Sequence, residues 1–124
     1  MGIDIYARWK NQTPKQVQEQ FTGFSAVHGH VGYLREAYRG NPYATHYMFQ
    51  EVFSKKGEAK IPAKVLRERL PRTLELVEER ERKLYKEIRK KRIDMVKKSF
   101  IDFVKLCEQK EKKTGEPCTI VANY

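Results

Sequence analysis

"RTLELVEERERKLYKEIRKKRIDMVKKSFIDFVKLCEQKEKKT", residues 72–114, decides the fold: it contains no Gly, Pro or Asn, so it forms either one rod or two helices. As one rod at about 1.5 Å per residue it would span roughly 60 Å, about twice the width of a compact domain of this size. Placed at about 100° per residue, Leu74, Val77, Leu84 and Ile88 fall on one side, whereas Ile93, Val96, Phe100, Phe103, Val104 and Cys107 form a second stripe rotated by roughly 100°. That loss of phase predicts two helical segments joined by a bend or break near residues 89–94, with Asp94 suited to a new start. The rival is a single long helix in a homodimer through the C-terminal helices.

Upstream, "IPAKVLRERL" (61–70) opens at Pro62 and runs to Pro71, which is itself suited to open the next helix. Downstream, Gly115 and Pro117 stop the helix, and "CTIVANY" (118–124) is a β-branched run that reads as a final strand. At the other terminus "GIDIYARW" (2–9) puts Ile3, Ile5, Ala7 and Trp9 on one side and Asp4, Tyr6 and Arg8 on the other, the period of a half-buried strand. Thr13, Pro14 and Gln16 then form a capping box for a short helix. Val31, Leu34, Ala37 and Tyr38 recur at helical spacing, with Gly40 and Pro42 as stops, so a helix is expected there. "THYMFQEVF" (45–53) favours a strand by composition, and "SKKGEAK" (54–60) reads as an exposed loop. The fold class is therefore α+β in a single domain, 1–124: a small sheet including both termini, packed against several helices, with a long C-terminal helical region.

The chain carries 26 Lys and Arg against 16 Asp and Glu, a net charge of +10. Of that charge, +7 sits between Arg82 and Lys98, where nine basic residues face only Glu87 and Asp94. Ion-pair networks account for a charged surface in general, but not for an unbalanced run, which attracts polyanions. On an ideal wheel Arg82, Lys86, Arg89, Lys90 and Lys97 share a sector of about 100°, a candidate nucleic-acid-binding stripe. The plainer reading is a solvated face, supported by the i,i+4 pairs Glu78–Arg82, Glu79–Lys83, Glu87–Lys91 and Asp94–Lys98. No zinc-finger or RNA-recognition signature accompanies the stripe, so any such binding is expected to be independent of sequence.

The other candidate region is "HGHVGYLREAYRGNPY" (28–43), with His46 just beyond. A helix starting near Val31 would present free N–H groups to an anion beside His30, with Arg35 and Arg39 one turn apart as added donors. His28, His30, Arg35, Tyr38, Arg39, Tyr43 and His46 are the candidate ligand-binding residues. His28, His30 and His46 offer three nitrogens, too few convergent ligands to specify a metal, and His, Glu36 and Tyr side chains form an acid–base inventory without a known catalytic spacing. Neither a phosphate-binding glycine loop nor a nucleophile elbow is present. No cofactor, metal site or catalytic residue is assigned, and a non-enzymatic role is favoured over an enzymatic one.

Cys107 and Cys118 show no CxxC spacing and read as buried thiols, which suits a reducing cytoplasmic setting. No stretch resembles a signal peptide or reaches membrane-spanning length, so a membrane partner is not expected. The segments "MGIDIY", "GHVGYLREAYRGNPYAT", "LRERLPRTLELVEERERKLY" and "SFIDFVKLCEQKEKKTGEPCTIVANY" together resemble a small family of uncharacterised bacterial proteins. That resemblance covers nearly the whole chain and implies a complete protein, but it brings no activity. The leading expectation is a cytoplasmic binding or interaction protein whose protein or anionic ligand sits at residues 28–46. The first alternative is a sequence-independent nucleic-acid binder using residues 82–98. The second is a small enzyme or metal-binding protein built on residues 28–46.

Overall fold

The computed structural model describes residues 2–22, 29–37, 40, 43–84 and 90–124. Strands β1 (Ile3–Arg8), β2 (Tyr33–Glu36), β3 (Glu58–Lys60) and β4 (Thr119–Asn123) form one antiparallel sheet in the order β2-β1-β4-β3. Helices α1 (Pro14–Phe21), α2 (Ala44–Met48), α3 (Gln50–Ser54), α4 (Ala63–Leu84) and α5 (Lys90–Thr114) complete the α+β architecture. The two terminal strands pair with each other at the centre, as their alternation leads one to expect: Ile5 faces Ala122 and Ala7 faces Ile120.

One sheet face is buried. Ile3, Ile5 and Ala7 of β1, Leu34 of β2, Ala59 of β3 and Ile120 of β4 join Leu66, Phe100, Phe103 and Val104 in a single core. Phe49 packs edge-on against Phe103 with ring centroids 5.3 Å apart, a geometry that adds about 0.5–1.5 kcal/mol to the area buried. The alternate residues, Asp4, Tyr6 and Arg8 of β1 with Tyr33 and Arg35 of β2, lie on the opposite face.

The long C-terminal stretch is two helices, and they run antiparallel. Arg67 pairs with Glu108, Glu78 with Lys97, and Glu81 with Arg92, so partners early in α4 meet partners late in α5. The Glu111 carboxylate accepts the Ala63 N–H at 3.1 Å, satisfying one of the free donors at the start of α4. α5 begins at Lys90, ahead of the expected start at Asp94. Its stripe is as expected: Ile93, Phe100, Phe103, Val104 and Cys107 are buried and Val96 packs against the core. Pro71, expected to open a new helix, lies inside α4. The lost backbone bond costs about 3 kcal/mol, and burial of Leu66 and Leu70 before it with Leu76 and Val77 after it outweighs that cost.

Three further expectations are corrected. Residues 33–36 form β2 and not a helix: Gly29 (φ +84°) and Gly32 (φ +79°) turn the chain, and the Gly32 carbonyl accepts the Ala7 N–H at 2.8 Å, committing the segment to β1. Residues 45–53 fall in α2 and α3 and not in a strand; their buried positions, Ala44, Thr45, Met48, Phe49 and Val52, follow helical spacing. The loop expected at 54–60 ends in β3, after Lys56 and Gly57 in left-handed conformation. The α1 capping box forms as expected, with Thr13 Oγ1 accepting the Gln16 N–H at 3.1 Å and Gln16 Oε1 accepting the Thr13 N–H at 2.9 Å. Cys107 and Cys118 are free and buried. Their thiols share a hydrogen bond, which with burial pushes the Cys107 thiol well up; the same bond pulls the Cys118 thiol down against the opposing effect of burial.

Candidate nucleic-acid interface

Of the seven residues proposed around 28–46, four are described, and each is engaged in a different place. His28, Tyr38 and Arg39 lie outside the described residues. His30 is exposed in the turn before β2, and Arg35 projects from the outer sheet face, where it pairs with Asp4 at 3.0 Å. Tyr43 is the N-cap residue of α2, and His46 stacks on Phe53 with centroids 4.7 Å apart. With residues 33–36 in a strand, the expected helix N-terminus near Val31 is not available to hold an anion. Among the described residues no group of three His, Cys, Asp or Glu side chains is placed to bind a metal.

What this region supplies instead is a buried ionic cluster. Glu36, at the end of β2, is sealed from solvent and accepts the backbone N–H groups of Ala44 and Thr45, at 3.3 and 2.9 Å, and the Thr45 hydroxyl at 2.5 Å. The Arg80 guanidinium of α4 contacts the same carboxylate and donates to Glu81 at 2.9 Å, and Glu81 in turn accepts from Arg92 of α5 at 3.2 Å. Four elements are thereby pinned together close to the end of the helix pair where α4 stops and α5 begins. Neither Arg80 nor Glu81 stood out in the sequence, since periodicity alone does not mark a charged residue as buried.

Beyond that cluster the basic stripe comes together in part. Arg82, Lys90 and Lys97 line a groove of about 350 Å³ between α4 and α5, with Glu78, Ile93 and Asp94. Lys86 and Arg89 lie outside the described residues. Glu78 accepts from Arg82 at 3.1 Å and from Lys97 at 3.3 Å, and those bonds hold its carboxyl below the ordinary carboxylate range. Lys90 is exposed at the groove, and Lys83, Lys91 and Lys98 are exposed elsewhere on the same two helices.

A second surface was missed. On the outer sheet face Tyr6 and Tyr33 are cross-strand partners with ring centroids 5.3 Å apart, and Phe21, at the end of α1, lies 5.7 Å from Tyr6 on its own side. The Arg8 guanidinium sits 5.8 Å from the centre of the Tyr6 ring. Tyr33 donates to Asp4 at 2.7 Å; burial first, and that bond second, push its phenol up to about 12. The outward position of Tyr6 was legible in the alternation of β1, but its neighbour Tyr33 was hidden by the helical reading of residues 31–38.

No family model, curated protein or solved structure matches the chain.

Proposed function

We propose that this protein is a non-enzymatic, cytoplasmic binder of nucleic acid that contacts the phosphate backbone, without regard to sequence, at the end of the α4–α5 pair. The observation that carries this reading is the gathering of Arg82, Lys90 and Lys97 along one groove within the segment that holds +7 of the net charge. The acids in the groove do not cancel it: Glu78 is shared between two of the three cations, leaving Lys90 exposed beside Asp94. Phosphates attract such a surface through counterion release, which needs no base contact.

A second copy of the chain is the weaker reading for this surface. Among the described residues, Leu74 and Val77 of the first stripe and Ile93, Phe100, Phe103, Val104 and Cys107 of the second are buried or packed on the core, and Met95 is the one large apolar side chain exposed on α4 or α5. No helix among the described residues is long and apolar enough to cross a membrane.

Fluorescence anisotropy with a labelled duplex of about 20 base pairs tests the proposal. With about four phosphates contacted, affinity should fall roughly 100-fold between about 50 and 200 mM salt. No binding at the lower salt rejects it.

A further inference from the structure

We propose that the open face of the sheet is a stacking platform for single-stranded nucleic acid, with Tyr6 and Phe21 receiving unpaired bases and Arg8 and Arg35 flanking them. The proposal rests on the phosphate-binding reading for its charge attraction, and it deepens that reading by naming a strand with unpaired bases as the ligand.

The sheet has two unlike faces. The inner one is filled by helices, whereas the outer one carries a run of aromatic rings: Tyr33 on β2, which is covered, Tyr6 on the neighbouring strand, which is half-buried, and Phe21 of α1, which is exposed. Phe21 is 63% exposed, so its ring is open to a ligand from solvent. Tyr33 is almost wholly covered and fixed through its hydroxyl to Asp4, so it backs the Tyr6 ring and leaves Tyr6 and Phe21 as the receiving pair.

Charge narrows the occupant. Beside the rings stand two guanidiniums, Arg8 and Arg35, against one carboxylate, Asp4, whose Oδ1 already accepts from both Tyr33 and Arg35. A guanidinium offers both a planar stacking surface and paired donors to a phosphate. Aromatic rings spaced along an open sheet and edged by arginine match the alternation of base and phosphate along a single strand, and every base has a face to stack. A duplex buries those faces in its own stack. Arg35 also precedes Glu36, which holds Arg80, so this edge of the platform lies close to the basic end of the helix pair.

The test compares the full chain's affinity for a single-stranded oligonucleotide of about 12 nucleotides with that for an abasic strand of the same length and charge. Wild type should prefer the base-bearing strand by roughly tenfold or more. Phe21→Ala, at an exposed position that does not threaten folding, and Tyr6→Ala should each cut that preference several-fold, with abasic binding unchanged; Tyr6→Phe should retain it. Equal binding of both strands by wild type, or full preference in Phe21→Ala, overturns the platform while leaving the phosphate-binding reading standing. Failure of both strands to bind at low salt overturns both readings.

Discussion

Glu36 and Arg80 form an ion pair removed from solvent, joining the edge strand β2 to the long helix α4. Such a pair specifies how sheet and helices dock more than it stabilises them, because desolvation offsets much of the attraction. Breaking it is another matter. Arg80→Leu leaves the Glu36 and Glu81 carboxylates buried without their shared counter-ion, and should cost about 3–5 kcal/mol in urea unfolding. The double variant Arg80→Leu/Glu36→Gln should recover part of that loss; a single-variant cost under about 1 kcal/mol contradicts the assignment.

A second tie, from α4 to the short helices α2 and α3, sets an acid-side dependence. Arg69 of α4 donates to both carboxylate oxygens of Glu51, at 2.6 and 2.7 Å, and to the Met48 carbonyl at 3.0 Å. The Arg69 hydrogen bond lowers the Glu51 carboxyl below its ordinary 4.5. A depressed carboxyl contributes stability that is present above its unfolded value and is lost as pH falls through the folded one. Unfolding midpoints followed downward from pH 4.5 should therefore fall less steeply in Glu51→Gln than in wild type. Parallel profiles would show that Glu51 does not contribute.

Gly29 is where the turn before β2 meets α5. A Cβ there would stand 1.8 Å from the Ser99 carbonyl oxygen, and the residue's φ is +84°. Gly29→Ala should cost about 2–4 kcal/mol, combining backbone strain with displacement of α5. Gly115→Ala shares the positive φ but meets nothing within 4 Å, and should cost only about 1 kcal/mol. Equal costs for the two would mean that α5 does not lie against the turn.

Much of this architecture was legible from local pattern. The alternation of Ile3, Ile5 and Ala7, the Thr13–Gln16 box, the stripe from Ile93 to Cys107 and the strand at 119–123 each carry their own signal, and each is as expected. The elements misread are those whose state is set by a distant partner. Tyr33–Glu36 is a strand because β1 offers it a ladder, overriding four residues at helical spacing. Glu58–Lys60 is too short to declare itself and exists by pairing with β4. In the aromatic-rich segment at 45–53 composition favours a strand and the period is ambiguous, and packing of Met48, Phe49 and Val52 into the core decides for helix. The site divides in the same way. Arg82, Lys90 and Lys97 share a helical sector, which depends only on spacing along the chain, while Glu36–Arg80 and Tyr6–Tyr33 depend on which strand lies next to which.

The central claim, that phosphates bind where α4 gives way to α5, is tested most directly by the salt dependence of duplex binding in two lysine variants. Lys90→Ala removes a cation from the groove, and Lys113→Ala removes one from the opposite end of the same helix. Lys90→Ala should weaken binding several-fold at low salt and reduce the slope of log affinity against log salt by about 1, while Lys113→Ala leaves both near wild type. Identical slopes in the two variants would contradict the account, because the attraction would then belong to the chain's overall charge and not to this groove.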